Sequence, residues 1–167
     1  YSHDKMKLFW TVSINTIADD AICIADSEEL NSVLIYVRPK SKEPNLLCYI
    51  KAGGRKMLSK LGLRSSIKLL RFDAEFKKLA QRHRSDRDGY LMAFATRLDK
   101  QGQHYGKPLI NALLRYLDTS GDGCYLETLK AQNVDLYKHF QFSLKEQTGI
   151  KSGNLTLFAM HRPSNKQ

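Results

Sequence analysis

The sequence CYLETLKAQNVDLYKHFQF, residues 124–142, decides the fold of this chain. Its first part, residues 124–128, is mostly apolar or aromatic and is typical of a buried strand. Apolar residues then recur at helical spacing over residues 132–140 and predict a short helix. Asn133 and Tyr137 are four residues apart on that helix, so they share one face. The stretch therefore predicts a strand followed by a helix that presents an amide and a phenol together.

A polar turn precedes this stretch, between a buried strand predicted at residues 90–98 and an apolar helix predicted at residues 108–117. The turn comprises Gln103, His104, Tyr105, Gly106, Lys107 and Pro108. The first N–H groups of a helix have no partners within it, so a helix start attracts phosphate groups. Gly106 allows close approach, Lys107 adds charge, and Pro108 suits the first helical position. Such a turn alone is more often only a helix start, but the Asn–Tyr pair downstream favours a ligand site at the carboxyl ends of the strands.

The rest of the chain completes a mixed α/β sheet covered by helices. Four further strands are predicted, at residues 21–25, 32–37, 143–146 and 155–161. The first two form an antiparallel hairpin, and the last two pair through a turn that contains Gly149 and Gly153. Helices are predicted at residues 4–18 and 45–83, the second broken at Gly53-Gly54 and at Gly62. The length of 167 residues indicates a single domain, residues 1–167.

The composition indicates a globular and strongly basic chain. Hydrophobic residues make up 42% and aromatic residues 10%, which excludes a disordered chain. No apolar run approaches the ~20 residues that a membrane span needs, so we expect no membrane partner. The net charge is +10, with the basic excess densest between Lys51 and Arg87. A charge of this size indicates a polyanionic partner of some kind.

The three cysteines indicate a reducing compartment. Cys23, Cys48 and Cys124 stand singly in apolar segments, without the spacing of metal ligands or of a disulfide framework. We therefore expect buried free thiols, no metal site and a cytoplasmic location.

The order of these elements resembles the core of the GNAT superfamily of acetyltransferases, in the branch that includes puromycin N-acetyltransferase. The similarity covers about half of the chain, from Tyr90 onward. It is carried by the strand 90–98, the Gln103-x-x-Gly106 turn, Tyr125-Leu126-Glu127-Thr128, Asn133-x-x-x-Tyr137 and Met160-His161-Arg162. The resemblance implies an α/β (α+β) fold: a mixed, mostly antiparallel GNAT-type sheet whose two central parallel strands splay apart, flanked by helices.

The resemblance also implies a reaction, the transfer of an acetyl group from acetyl-CoA (coenzyme A) to an amine by direct attack in a ternary complex. Backbone groups of Arg97 and Leu98 would bind the pantetheine arm, which Asn133 would orient. The expected pyrophosphate turn comprises Gln103, His104, Tyr105, Gly106, Lys107 and Pro108. Tyr137 contacts the cofactor and is the expected general acid for the thiolate. Glu127 is a candidate general base, or equally a strand-end carboxylate paired with a cation.

The chain departs from the family pattern in three places. The family's Q/R-x-x-G-x-G/A ends here in Pro108, which removes one possible backbone donor to the pyrophosphate. The glycine that follows the family's tyrosine helix is Gln141, so the chain must turn there without glycine's freedom. The family's first strand and helix are expected to lack a counterpart in this sequence, which would leave the acceptor pocket incomplete.

The acceptor and the function class stay open at this point. The acceptor is a small-molecule or peptide amine, and the protein a monomer or homodimer. A noncatalytic sensor or scaffold that binds acyl-CoA is an alternative, which Pro108 and Gln141 make conceivable. A nucleic-acid-binding domain is less favoured, because the sequence has no zinc-ligand spacing or helix-turn-helix signature. The basic helices between Lys51 and Arg87 are either a solvated face or a surface that attracts the cofactor's phosphates or an acidic substrate.

Overall fold

A computed structural model describes residues 3–41, 44–150 and 155–165. Six of its segments are strands: β1 Ala21–Ala25, β2 Ser32–Val37, β3 Asp88–Thr96, β4 Gly123–Thr128, β5 Ser143–Ile150 and β6 Leu155–Arg162. They form one sheet in the order β1-β2-β3-β4-β6-β5. All neighbouring strands are antiparallel except β3 and β4, which are parallel. The mixed, mostly antiparallel sheet predicted from the sequence is thereby confirmed.

Six α-helices accompany the sheet in the described part of the chain: α1 His3–Ile17, α2 Leu46–Tyr49, α3 Arg55–Leu61, α4 Leu63–His83, α5 Gly106–Ser120 and α6 Ala131–Lys138. A π-helical turn, Ile50–Gly54, joins α2 to α3. Both predicted breaks are confirmed, since Gly53 has φ 101° and Gly62 has φ 76°. These positive φ values favour glycine and interrupt the helical path. α1 packs mainly against α2, α3 and the turn between them.

The two central strands are paired only near their amino ends. The parallel pairs are Asp88 with Gly123, Gly89 with Cys124, and Tyr90 with Tyr125. Beyond them β3 continues to Thr96 and β4 to Thr128 without further pairing to each other. The strands therefore separate toward their carboxyl ends and leave an opening between them, as the resemblance implied.

Alternation of side chains along β3 and β4 gives the sheet two distinct faces. Leu91 and Leu126 lie in the larger core together with residues of α5 and α6. Tyr90 and Tyr125 lie in a second core together with Leu79 and other residues of α4. The helix that follows the polar turn and the long basic helix therefore cover opposite faces.

Two local predictions from the sequence are wrong. The strand predicted at 90–98 ends at Thr96, because the Arg97 carbonyl accepts a hydrogen bond from the Lys100 N–H and the chain turns there. β5 extends to Ile150, paired with Leu155, so Gly149 lies in the strand. Gly153, predicted in the same turn, lies outside the described residues.

The prediction that all three cysteines are buried is also wrong. Cys124 is buried, but Cys48 is half-buried and Cys23 is exposed. Cys23 lies on β1, which has a neighbour in the described sheet on one side only. An edge strand leaves more of its surface to solvent than a central strand does.

Candidate active site

The polar turn has a different geometry from the one predicted. α5 begins at Gly106, so Pro108 is its third residue and the prediction that Pro108 begins the helix is wrong. Gly106 packs against the ring of Phe94 on β3, and a Cβ on Gly106 would lie 2.8 Å from Phe94 Cζ. The helix therefore starts close to the sheet, where only glycine fits. His104 adopts φ 63° in the turn before it.

The positive φ of His104 and the start of α5 at Gly106 move the match to the family pattern two residues toward the amino terminus. In the form Q/R-x-x-G-x-G/A it fits Gln101-x-x-His104-x-Gly106, with His104 in the left-handed conformation that glycine usually takes. Gln101 Nε2 donates to the Thr96 carbonyl oxygen at 3.2 Å and ties the turn to the end of β3. Gln103 Nε2 instead donates to the Asp99 carbonyl oxygen at 2.9 Å, within the turn itself. The departure from the pattern is therefore at His104.

The remaining residues of the turn lie around the start of α5. Lys107 and Pro108 are exposed there, and the Lys107 N–H donates to the His104 carbonyl oxygen at 3.1 Å. The Tyr105 ring centroid is 5.9 Å from Lys100 Nζ. This segment thus presents two ammonium groups beside the first turn of a 15-residue helix, a setting that favours anions.

The Arg97 N–H is directed toward β2 and away from the opening. The Arg97 N–H donates to the Asn31 carbonyl oxygen at 2.9 Å, toward β2, and its guanidinium pairs with Asp99. Because strand residues alternate, Phe94 and Thr96 direct their backbone groups to the opposite edge, toward the opening. Leu98 follows in a 3-10 turn with its side chain 88% exposed. The sequence missed Phe94 and Thr96 because it placed the strand end two residues too late.

Asn133 and Tyr137 lie on α6, which covers the same face of the sheet as α5. Asn133 Nδ2 donates to Thr128 Oγ1 at 3.0 Å, which fixes the amide at the end of the strand. Tyr137 is 7% exposed, and its ring packs edge-on against Phe142. Burial raises the pKa of the Tyr137 phenol to about 12. Its hydroxyl has no hydrogen-bond partner among the described residues and is protonated at neutral pH.

Glu127 lies on the other face of β4, in the part of the strand that has separated from β3. Burial raises the pKa of Glu127 to about 7, although the nearby phenols of Tyr90 and Tyr125 lower it. Glu127 Oε2 and Tyr125 Oη are buried without hydrogen-bond partners among the described residues. No ion pair of the described residues includes Glu127, although the positive charge of Arg84 also lowers its pKa. A carboxyl group that titrates near neutral pH suits proton transfer.

Glu127 and the Asn133–Tyr137 pair lie on opposite faces of the sheet. Glu127 has the same orientation along β4 as Tyr125, on the α4 side. Tyr137 lies in the core formed with α5 and α6. Glu127 has two phenols as neighbours, those of Tyr90 and Tyr125. The sequence analysis did not identify these contacts, although strand alternation places Tyr125 on the same face of β4 as Glu127.

Other kinds of site find no support in the described residues. Within them, no group of three or more His, Cys, Asp or Glu side chains is placed to hold a metal ion. None of the described helices is both long enough and apolar enough to cross a membrane.

Comparison with known proteins gives structural matches only. No family model matches the sequence, and no curated protein matches it. A Corynebacterium glutamicum structure described as histone acetyltransferase HPA2 and related acetyltransferase matches 98% of this chain and 76% of its own, with 16% identity and a TM-score of 0.68. A Bacillus subtilis acetyltransferase in complex with CoA matches 98% of this chain and 93% of its own, with 10% identity and a TM-score of 0.51. A further acetyltransferase matches 98% and 82%, with 14% identity and a TM-score of 0.53. Together with the splayed central strands, these matches show that the chain has the GNAT acetyltransferase fold.

Proposed function

We propose that this protein is an N-acetyltransferase that moves an acetyl group from acetyl-CoA to an amine acceptor. The observation that carries the proposal is the opening between β3 and β4, with a buried carboxyl group that titrates near neutral pH on one face and a buried phenol on the other. The fold supports it, because matched structures are acetyltransferases and one of them was solved with CoA.

The cofactor would enter from the face covered by α5 and α6. The turn from Gln101 to Gly106 and the start of α5, with Lys107 and Pro108, would hold the pyrophosphate, since helix starts favour phosphate. Backbone groups of Phe94 and Thr96, and of Leu98 beyond them, would bind the pantetheine arm. Asn133 donates to Thr128 through its amide nitrogen, so its carbonyl oxygen is left to accept from an amide of that arm.

The two buried side chains would divide the proton transfers. Glu127, with a pKa of about 7, is half ionised at neutral pH and would accept a proton from the attacking amine, directly or through water. Tyr137 is protonated at neutral pH and would donate its proton to the departing thiolate. Because they face opposite sides of the sheet, the acceptor would approach from the α4 side. Direct attack then depends mainly on positioning the two reactants across the opening.

Thermal-shift measurements and acetylation assays test this proposal. We expect acetyl-CoA to raise the melting temperature of the protein, with a concentration dependence that gives its affinity. We expect an amine library to contain at least one acceptor that is acetylated with release of free CoA thiol. Tight CoA binding without acetylation of any amine would favour the sensor or scaffold function instead. No stabilisation by CoA would contradict both. A cytoplasmic location, suggested by three free cysteines, is part of the same proposal.

A further inference from the structure

An open pocket lies at the amino end of β3, where β3 and β4 are still paired. Its volume is about 410 Å³. Its wall is formed by the carboxyl end of α4, the turn after this helix, the first residue of β3, the start of β5 and the end of β6. The lining includes Arg84, Lys145, Asp88, His83 and His161. The pocket therefore gathers ionisable side chains from three strands and the end of a helix.

The strand register places this pocket on the α4 face and away from the polar turn. His161 of β6 lies opposite Tyr125, and directly opposed residues of antiparallel strands share a face. Asp88 is two residues before Tyr90 on β3, so their side chains share that face too. Asp88 begins β3, and Thr96 at the other end of the strand is roughly 26 Å away at ~3.3 Å per residue. The polar turn follows Thr96, so the pocket is separate from the proposed pyrophosphate turn.

The carboxylate in the lining, Asp88, is already engaged. Its Oδ2 accepts hydrogen bonds from the N–H and the hydroxyl of Ser85 at 2.7 and 2.8 Å. Its Oδ1 lies 2.9 Å from His161 Nε2. Burial acts to raise the pKa of Asp88, but these hydrogen bonds outweigh burial and the pKa is lowered. Asp88 is therefore ionised at neutral pH, with donors on both of its oxygens.

A second carboxylate, Glu146 of β5, contacts the lining and is engaged in the same way. Arg82 donates two hydrogen bonds to it, at 2.7 and 3.0 Å. His83 Nε2 lies 2.7 Å from its Oε2. Hydrogen bonds from Arg82 and His83 lower the pKa of Glu146. The charge of Arg82 is thus compensated within the protein.

Two cations of the lining lack a compensating carboxylate. Arg84 and Lys145 form no ion pair with any residue that the structure describes. Arg84 Nε donates to the Asp88 carbonyl oxygen at 3.1 Å, and Arg84 Cζ lies 5.6 Å from the centroid of the Tyr90 ring. These contacts hold the guanidinium in place and leave its terminal nitrogens available. Lys145 is exposed, at a register shift in the pairing of β5 with β6.

Free cations beside occupied carboxylates favour the binding of an anion. A guanidinium matches the geometry of phosphate oxygens, and an ammonium adds a point charge. Two uncompensated cations match the two negative charges of a phosphate group, whereas a carboxylate carries one. We propose that this pocket binds a dianionic phosphate group between Arg84 and Lys145, either free phosphate or the phosphate of a small monoester. The inference is independent of the proposed acetyltransferase function.

Isothermal titration calorimetry at constant ionic strength tests the inference. The probes are inorganic phosphate, phenyl phosphate and acetate. We expect at least one phosphate to bind the parent about tenfold more tightly than acetate or better, because it carries twice the charge. Its affinity should fall as potassium chloride is added, because the pocket is open to solvent. Tighter binding of phenyl phosphate would identify an organic monoester as the ligand, and tighter binding of inorganic phosphate would identify the free ion; either result supports a phosphate site.

The double variant Arg84→Gln/Lys145→Gln should bind phosphate about tenfold more weakly than the parent, or worse. Lys68→Gln/Arg71→Gln is the matched control, since it removes one lysine and one arginine from exposed positions of α4 outside the pocket. Its affinity should stay within about twofold of the parent's. Circular dichroism checks that both variants fold. If the double variant does not fold, Lys145→Gln alone, at an exposed position without an ion pair, should bind about threefold more weakly.

Four results would overturn the inference. The first is no binding of either phosphate at millimolar concentration, and the second is acetate that binds as tightly as phosphate. The third is a phosphate affinity that the double variant leaves unchanged. The fourth is loss of phosphate binding in the control, because the anion would then bind on the exposed face of α4. No acetylation is measured in these experiments, so failure of the proposed function would leave their outcome unaffected.

Discussion

Replacing Glu127 by Gln removes a buried carboxyl group, and its expected effect on stability depends on pH. Burial raises the pKa of Glu127 from its ordinary 4.5 to about 7 in the folded protein. A raised carboxyl pKa means that the folded state holds the proton more tightly than the unfolded state between these two values. The contribution of Glu127 to the free energy of unfolding therefore falls as pH rises from 4.5 to 7, by about 3 kcal/mol at 1.36 kcal/mol per pH unit.

Urea unfolding of the parent and Glu127→Gln, followed by circular dichroism between pH 4.5 and 8, measures this effect. Gln mimics the protonated carboxyl at every pH, so we expect the two proteins to be similarly stable near pH 4.5. At pH 8 the variant should be more stable by about 3 kcal/mol. The difference between the two proteins isolates Glu127, because other titrating groups contribute equally to both. Acetylation by the variant should be slower and should lose the rise in rate near pH 7.

Glu146→Gln is a control for which we expect the opposite dependence of stability on pH. Hydrogen bonds from Arg82 and His83 lower the pKa of Glu146, so this carboxylate stabilises the protein at neutral pH and the effect is lost as pH falls. Its Gln variant should therefore be less stable than the parent at pH 7 and should approach it in acid. A stability difference for Glu127→Gln that stays constant from pH 5 to 8 would refute the buried, raised-pKa carboxyl. So would a parent that gains stability relative to this variant as pH rises.

Three further substitutions test the turn and the proposed acid. Tyr137→Phe should lower kcat by about tenfold or more while the affinity for CoA, measured by thermal shift, stays within about twofold; an unchanged kcat would exclude Tyr137 as the acid. His104→Gly should raise the free energy of urea unfolding by about 0.5–1 kcal/mol, because His104 has φ 63° and glycine adopts this conformation without strain; a destabilised variant would show that the imidazole has a stabilising role. Gly106→Ala should cost about 1–3 kcal/mol in the same assay because its Cβ would meet Phe94, and Phe94→Leu should restore part of the loss; a neutral Gly106→Ala would contradict the tight contact.

Much of the fold follows from local patterns in the sequence. The breaks at Gly53 and Gly62 were predicted because glycine is the residue that adopts positive φ most easily. The strand around Tyr125 and the helix that carries Asn133 were predicted because their apolar periodicities differ. The sequence also predicted that the chain turns at Gln141 without the help of a glycine. Gln141 has φ 67°, a conformation that glycine usually adopts.

The polar turn was placed incorrectly because its geometry depends on tertiary contacts. His104 adopts a positive φ, which histidine does more often than most residues other than glycine but still uncommonly, so the sequence does not predict it. The start of α5 is set by the contact of Gly106 with the Phe94 ring, twelve positions earlier in the chain. Propensity also assigns the first helical position to Pro108, which the packing against β3 overrides.

The relation between the two faces of the site was equally out of reach of the sequence. That Glu127 and Tyr137 lie on opposite faces of the sheet depends on which helices cover each face. The direction of α4 depends on contacts such as that of Arg82 with Glu146, which are 64 residues apart in the chain. Contacts between residues so far apart in the chain leave no periodic pattern in the amino-acid sequence.

The short pairing between β3 and β4 has a mechanical consequence. Three pairs of residues join them in the described sheet, so the hairpin side, β1-β2-β3, and the carboxyl-terminal side, β4-β6-β5, are two antiparallel units with a narrow hydrogen-bonded junction. A ligand that bonds to the free edge of β3 and also contacts Asn133 or Tyr137 bridges the two units. Occupancy then restricts their relative motion, and amide groups on both sides of the junction gain protection together. In the proposed reaction, the cofactor would thus act as a cross-link within the sheet as well as a reactant.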